Sequence, residues 1–83
     1  MKINYYSDEW CSSCKAMMPL FEQECEKLNV EYEIIDVESD RGVDLSIEYK
    51  VRNIPTLIFL DNENNVIGRA SGSQAYKEIV KYL

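Results

Sequence analysis

Histidine is absent from this chain of 83 residues. Its absence excludes nucleophilic catalysis by a cysteine–histidine pair, acid–base chemistry by imidazole, and the common zinc sites that mix cysteine with histidine. Basic residues are also few, because 9 lysines and arginines stand against 15 acidic residues and leave a net charge of −6. A surface of that charge repels nucleic-acid phosphates and anionic membranes, so we expect neither as a partner.

Long apolar runs are missing as well. No segment approaches the roughly 18 apolar residues of a membrane span, and Met1–Asp8 has no apolar stretch of signal-peptide length. We therefore expect a cytoplasmic protein. The length suits a single domain over residues 1–83 with one core, and we expect a monomer. The hydrophobic share of 46% and the charged share of 29% are typical of a folded globular chain.

The apolar pattern predicts four strands and two helices, and it leaves the segment Asp40–Lys50 between the second and third strands ambiguous. A three-and-four spacing of apolar residues predicts the first helix over Ser12–Leu28, with a kink at its internal proline, Pro19. The predicted strands, the second of them well buried, are Lys2–Tyr6, Val30–Val37, Thr56–Leu60 and Val66–Ala70, the last two forming an antiparallel hairpin. The last helix covers Ala75–Leu83 and is predicted to be capped by Ser73.

The segment Asp40–Lys50 is ambiguous on its pattern alone. Apolar residues occupy every second position from Val43 to Val51, which is the period of a strand. We nevertheless assign a helix here, on a family resemblance given below.

The dithiol Cys11-Ser12-Ser13-Cys14 is the strongest chemical signal in the chain. Residues three apart at the start of a helix lie on one face, so the two thiols can close a disulfide. The helix N-terminus stabilises a thiolate, which makes Cys11 the expected nucleophile. Cys14 is then expected to resolve the mixed disulfide that Cys11 forms with a substrate.

Other interpretations of the three cysteines are weaker. A structural zinc site needs four ligands, and only Cys25 remains to join the dithiol. A purely structural bridge is rare in a reducing compartment. Cys25 shares an apolar stripe with Phe21 and Leu28, so core packing is favoured over a regulatory thiol.

Three parts of the chain together resemble the thioredoxin family, and the match spans nearly the whole sequence. They are Asp8-Glu9-Trp10-Cys11-Ser12-Ser13-Cys14-Lys15, then Pro19, then Arg52-Asn53-Ile54-Pro55-Thr56. The resemblance implies an α/β fold of thioredoxin-like βαβαββα topology. Its four-stranded mixed sheet would be flanked by three helices and lack the first strand and helix of full-length thioredoxin. The stretch with Leu45, Tyr49, Val51, Arg52 and Ile54-Pro55-Thr56 is similar to the family's helix that leads into its cis-proline loop, and on this basis we assign a helix to Asp40–Lys50.

The resemblance also implies a substrate groove. The Ile54–Pro55 peptide should be cis and lie beside the dithiol. Trp10, Ile54, Pro55 and the bend at Ser71 and Gly72 should surround Cys11 and bind an extended substrate segment. An ordinary turn proline at Pro55 and a core role for Trp10 are the alternatives.

The sequence departs from the family pattern beneath the dithiol. Tyr5 stands where thioredoxins usually carry a buried aspartate, and Ile34 stands at the position of its lysine partner. Ser12 and Ser13 replace the usual Gly-Pro of thioredoxins and the Pro-Tyr common in glutaredoxins. The intervening pair tunes the stability of the thiolate and of the disulfide.

The sequence is consistent with three functions. The first is reduction of protein disulfides by the dithiol, with no cofactor or metal, followed by re-reduction by an electron donor that resembles thioredoxin reductase. The second is a glutaredoxin-like activity linked to glutathione, which the short chain favours. The third is a binding module that uses the groove to hold a partner without redox chemistry.

Overall fold

The computed structural model describes residues 1–83 and has one mixed sheet with helices on both faces. The strands are β1 (Lys2–Ser7), β2 (Glu31–Asp36), β3 (Thr56–Leu60) and β4 (Val66–Ser71). The helices are α1 (Ser12–Leu28), α2 (Asp40–Glu48) and a C-terminal 3₁₀ helix (Ala75–Tyr82). The predicted βαβαββα order is confirmed, including the helix that the alternating pattern alone would have assigned as a strand.

The sheet has the strand order β2-β1-β3-β4. Strand β1 runs parallel to β2 and antiparallel to β3, and β3 and β4 form the predicted antiparallel hairpin. Tyr5 faces Ile34 across one pairing and Leu57 across the other. The strand that leads into the dithiol is therefore hydrogen-bonded along both of its edges.

Alternation along β1 divides the core between the two faces of the sheet. Tyr6 faces a small cluster with Ile35, Ile58 and Leu60, against which residues of α2 and its following loop pack. The larger cluster lies on the face covered by α1 and the 3₁₀ helix, and it comprises Ile3, Tyr5, Cys14, Met17, Phe21, Cys25, Leu57, Phe59, Ala75 and Ile79.

Helix α1 forms as the apolar spacing predicts, and it continues through Pro19 to Leu28. Its buried face carries four residues of the predicted stripe, Cys14, Met17, Phe21 and Cys25. The helix ends at Asn29, whose backbone is left-handed with φ 56° and whose N–H donates to the carbonyls of Cys25 and Glu26. No helix combines the length and the apolar character needed to cross a bilayer.

Two local predictions are wrong. Strand β2 is not well buried: Ile35 is its one buried residue, while Tyr32 and Ile34 are 37% and 40% exposed. The reason is its position, because an edge strand lacks a neighbour on one side and only part of it is covered by helices. The last helix is of the 3₁₀ type and begins after Gln74 without a side-chain cap, so Ser73 does not cap it.

Gly42 in α2 provides a test of this packing. A β-carbon at Gly42 would overlap the backbone carbonyl oxygen of Asp36 at the end of β2. That oxygen is already held by the N–H of Ser39 at 3.1 Å and by its hydroxyl at 2.7 Å. The helix can therefore approach the end of β2 this closely only with glycine at position 42.

We expect Gly42→Ala to destabilise the protein, although alanine normally favours a helix over glycine by about 1 kcal/mol. Relief of the overlap should cost about 1–3 kcal/mol of unfolding free energy, measured by urea denaturation. Asp44→Ala, at an exposed position of the same helix, is the control and should change stability by less than about 0.5 kcal/mol. A Gly42→Ala protein as stable as the parent contradicts the packing argument.

Candidate active site

The dithiol lies at the junction between β1 and α1. The Asp8 side chain accepts a hydrogen bond from the N–H of Trp10 at 2.8 Å, and its carbonyl accepts one from the N–H of Cys11 at 3.4 Å. This short turn carries the chain from the end of the sheet to the start of the helix. Cys11 is the N-cap residue, with the extended backbone that an N-cap requires.

The two sulfur atoms of Cys11 and Cys14 lie at disulfide-bonding distance, and the Cα atoms are 5.2 Å apart. The exposure of the two residues differs sharply: Cys11 is half-buried, whereas Cys14 is 1% exposed and belongs to the larger core cluster. Cys11 is thus the sulfur that an incoming disulfide can reach. Cys14 lies behind it, in contact with Cys11 but shielded from other molecules.

Hydrogen-bond donors surround the Cys11 sulfur. The N–H of Cys14 donates to Cys11 Sγ at 3.2 Å, and the Ser13 hydroxyl lies 3.5 Å from the same atom. Donors in these places, together with the positive end of the helix dipole, favour a thiolate over a thiol. The sequence had predicted the helix effect, but not the contact of Ser13, because the direction of that side chain depends on the geometry of the first turn.

Pro55 and the bend at Ser71 and Gly72, three of the predicted groove residues, come together at the end of the sheet from which the chain runs to the dithiol. The Ile54–Pro55 peptide is cis, as predicted. Because Tyr6 pairs with Thr56, the preceding Pro55 lies beside Ser7, from which the chain runs directly to the dithiol. Gly72, at φ 96°, donates its N–H to the Pro55 carbonyl at 2.9 Å, which brings the bend at residues 71–72 against the proline.

Trp10 and Pro55 do not take the alternative roles. Trp10 is 78% exposed, so it is not a core residue and is free to contact another molecule. Pro55 is buried and in the cis form, so it is not an ordinary surface turn proline. Ile54 is half-buried and packs against both core clusters.

Thr56 supports the cis-proline loop through contacts that the sequence did not predict. Its hydroxyl donates to the carbonyl of Asn53 at 2.6 Å and lies 3.1 Å from the hydroxyl of Ser71. Because a hydroxyl has one proton, Ser71 must be the donor to Thr56. Thr56 therefore links the loop before the proline to the end of β4.

A shallow, mostly apolar cavity of about 370 Å³ continues from Ile54 towards α2. Val43 and Ile47 of α2 leave their side chains 45% and 72% exposed on the protein surface. The sequence did not predict this cavity, because the alternating pattern does not show which apolar residues of α2 remain uncovered. The lining residues are Val37, Val43, Ser46, Ile47, Val51, Arg52, Asn53 and Ile54.

Tyr5 lies directly beneath the dithiol. It is fully buried, and its hydroxyl donates to the carbonyl oxygen of Cys14 at 2.6 Å. Burial raises the pKa of Tyr5 to about 12, so the phenol stays neutral. The buried polar residues of the protein are Asn4, Ser7 and Thr56, none of them a carboxylic acid or an amine. The predicted departure from the family pattern therefore leaves no buried charged group below Cys14.

The third cysteine, Cys25, is not part of the dithiol. It is a free, buried thiol in the larger core cluster, which agrees with the packing role that the apolar stripe predicted. Burial, with smaller contributions from Glu24 and Glu22, raises its pKa to about 12. Such a thiol is a poor nucleophile at neutral pH.

A sheet of this topology, with a cysteine pair at the start of α1 and a cis-proline at the adjacent strand, defines a protein of the thioredoxin fold. The family model for thioredoxin matches residues 1–83. The chain belongs to the thioredoxin family. This membership and the disulfide-bonding distance between Cys11 and Cys14 point to a thiol-disulfide oxidoreductase.

Individual relatives agree with this assignment. The chain is 24% identical to a thioredoxin-like protein of Synechocystis, over 98% of this chain and 75% of that protein. It is 32% identical to a thioredoxin of Mycoplasmoides gallisepticum, over 72% of this chain and 58% of that protein. Among solved structures it resembles thioredoxin 1 of Thermosipho africanus, with a TM-score of 0.81, 31% identity, and coverage of 99% of this chain and 93% of that one.

We expect the three thiols of the reduced protein to react with iodoacetamide in the order of their exposure. Cys11 should be alkylated first, and Cys14 and Cys25, which are each 1% exposed, should react slowly until the protein is denatured, as read by peptide mass mapping. The Cys11→Ser variant is the control, because it should lose the fast phase and keep the slow ones. Labelling of Cys25 in the folded protein at the rate of Cys11 contradicts the assignment.

Proposed function

We propose that this protein reduces disulfide bonds of other proteins through the Cys11–Cys14 dithiol. The observation that carries the proposal is the asymmetry of the two sulfurs: Cys11 is accessible at a helix N-terminus, and Cys14 is buried behind it. An accessible thiolate suits attack on a substrate. A buried partner that only Cys11 can reach suits an intramolecular second step.

The reaction has two exchanges. The Cys11 thiolate attacks one sulfur of the substrate disulfide, forms a mixed disulfide and releases the other substrate sulfur as a thiolate, which takes up a proton. Cys14 then gives up its proton and attacks Cys11 Sγ. The mixed disulfide breaks, the second substrate thiol leaves with a proton, and the protein retains the Cys11–Cys14 disulfide. Two electrons pass from the dithiol to the substrate.

The surroundings of the dithiol favour a polypeptide substrate. Trp10 offers a large exposed aromatic surface on the loop that precedes Cys11. The cavity that begins at Ile54 has room for apolar side chains that flank a substrate cysteine. Gly72 has no atom within 4 Å of where its β-carbon would be, so a substrate backbone can come close to it.

The proposal includes a cytoplasmic site of action and an electron donor that resembles thioredoxin reductase. A reducing compartment keeps such a dithiol in its reduced form between turnovers. The alternative donor is glutathione. The observation that favours it is Arg52, an exposed guanidinium on the cavity beside Ile54, since glutathione carries carboxylates that a guanidinium can bind.

We expect the Cys11–Cys14 couple to have a reduction potential below the cytosolic glutathione poise, which lies at about −220 to −320 mV. The potential is measured by equilibration in thiol buffers, alkylation and intact-mass analysis. Turnover of a disulfide-bonded protein substrate should then proceed with thioredoxin reductase and NADPH. Turnover only with glutathione and its reductase favours the glutaredoxin-like alternative.

Two variants test the assignment of roles. Cys14→Ser should form a mixed disulfide that persists, and Cys11→Ser should form none. A parent without any reductase activity, together with partner binding that survives the Cys11→Ser, Cys14→Ser double substitution, overturns the proposal in favour of a binding module.

A further inference from the structure

We propose that Tyr5 positions the resolving cysteine through the hydrogen bond from its hydroxyl to the carbonyl oxygen of Cys14. The inference rests on the proposed function, because it concerns the second of the two exchanges. It assigns a functional role to a residue that lies outside both the dithiol and the groove.

The position of the Tyr5 ring is fixed on all sides. Strand β1 is paired with β2 on one edge and with β3 on the other, so its backbone has little freedom. The ring is 0% exposed and meets Phe21 of α1 edge-to-face, with 4.8 Å between ring centroids. The hydroxyl at the end of this ring therefore has a fixed position, and its hydrogen bond can hold the first turn of α1 in place.

A chain of hydrogen bonds leads from Tyr5 to Cys11. The hydroxyl donates to the carbonyl of the peptide that joins Cys14 to Lys15, at 2.6 Å. The N–H of the same peptide, on Lys15, donates to the Cys11 carbonyl at 3.1 Å. A donor at the carbonyl end of a peptide polarises it and strengthens the bond made by its N–H. Tyr5 thus stabilises the turn that sets the distance between the two sulfurs.

Positioning, and not proton transfer, is the role that this geometry allows. The hydroxyl proton is already donated to the Cys14 carbonyl, and burial raises the pKa of Tyr5 to about 12, so no phenolate is present at neutral pH to take a proton from Cys14. No aspartate, glutamate, lysine or arginine is buried near it. What Tyr5 supplies is a constant placement of Cys14 against Cys11, and intramolecular reactions depend strongly on placement.

The test is the rate of each exchange in a Tyr5→Phe protein, which keeps the ring and loses the hydroxyl. Release of substrate from the mixed disulfide should slow about fivefold to tenfold, the effect of losing a buried hydrogen bond. The equilibrium constant for closing the Cys11–Cys14 disulfide against glutathione should fall by about fivefold, equivalent to about 20 mV at 29.6 mV per tenfold. Attack by Cys11, measured in a Cys14→Ser background, should change less than about twofold.

Tyr6→Phe is the matched control. Tyr6 is also 0% exposed and adjacent in β1, but it lies on the opposite face, where its hydroxyl is 3.5 Å from Asn4 Nδ2. It should leave both exchange rates and the disulfide equilibrium unchanged. Slowing of release by Tyr6→Phe to the same extent as by Tyr5→Phe overturns the inference, because the effect would then belong to packing in general.

Two further results separate the inference from the proposed function. A parent that reduces protein disulfides, with Tyr5→Phe releasing substrate at the parental rate, overturns the inference alone. A parent that forms no mixed disulfide overturns the proposed function and the inference with it. The parent protein also allows a test without a variant. The Tyr5 hydroxyl proton, because it is donated to a buried carbonyl, should give an NMR resonance that exchanges slowly with water. Rapid exchange contradicts the role.

Discussion

Burial of β1 on both edges and both faces is the constraint on which the site depends. The strand lies between β2 and β3, and its alternating side chains enter two separate clusters. A strand fixed in this way cannot shift its register without exposing apolar residues on both faces at once. The chain leaves β1 at Ser7 and reaches Cys11 after a short turn, so the position of the dithiol is set by a strand that is held on both edges and both faces.

The same constraint explains why Cys11 and Cys14, which lie on one turn of the helix, differ so strongly in exposure to solvent. α1 packs its Cys14 face onto β1, and the N-cap position falls outside the contact. Cys11 is therefore left at the edge of the core, while Cys14, one turn further, is covered by it. Adjacent β3 brings the cis-proline to the same end of the sheet. The accessible sulfur and the cis-proline at the same end of the sheet are thus consequences of one packing arrangement.

Much of this could be predicted from sequence because the relevant signals are local or come from family resemblance. The spacing of Cys14, Met17, Phe21 and Cys25 predicted α1, and the motif around Pro55 predicted a cis peptide. The exposure of β2 could not be predicted in the same way. Whether a strand of Val, Ile and Tyr is central or at an edge depends on pairing with distant segments, which its own composition does not encode.

The contacts near the dithiol that the sequence did not predict have a similar cause. Ser13 reaches the Cys11 sulfur, and Thr56 links two loops, only because the first turn of α1 and the β3–β4 pairing place them there. The exposure of Val43 and Ile47 depends on how little of α2 the sheet covers. Such features come from tertiary packing, and a pattern of apolar residues along the chain does not determine them.

A phenol in place of a carboxylic acid beneath the dithiol is explained by the residue that lies next to it in the sheet. A buried carboxylate needs a charged or polar partner to offset desolvation, and the neighbouring position across the pairing is Ile34, which offers none. A phenol at the same place needs only one acceptor, and the Cys14 carbonyl provides it. Tyr5 and Ile34 are therefore compatible with one another, whereas an aspartate opposite Ile34 would be left without a cation. With an apolar residue and a phenol at these two positions, the protein avoids the cost of an unpaired buried charge. The hydrogen bond from Tyr5 to Cys14 also persists at neutral pH, because the phenol keeps its proton there.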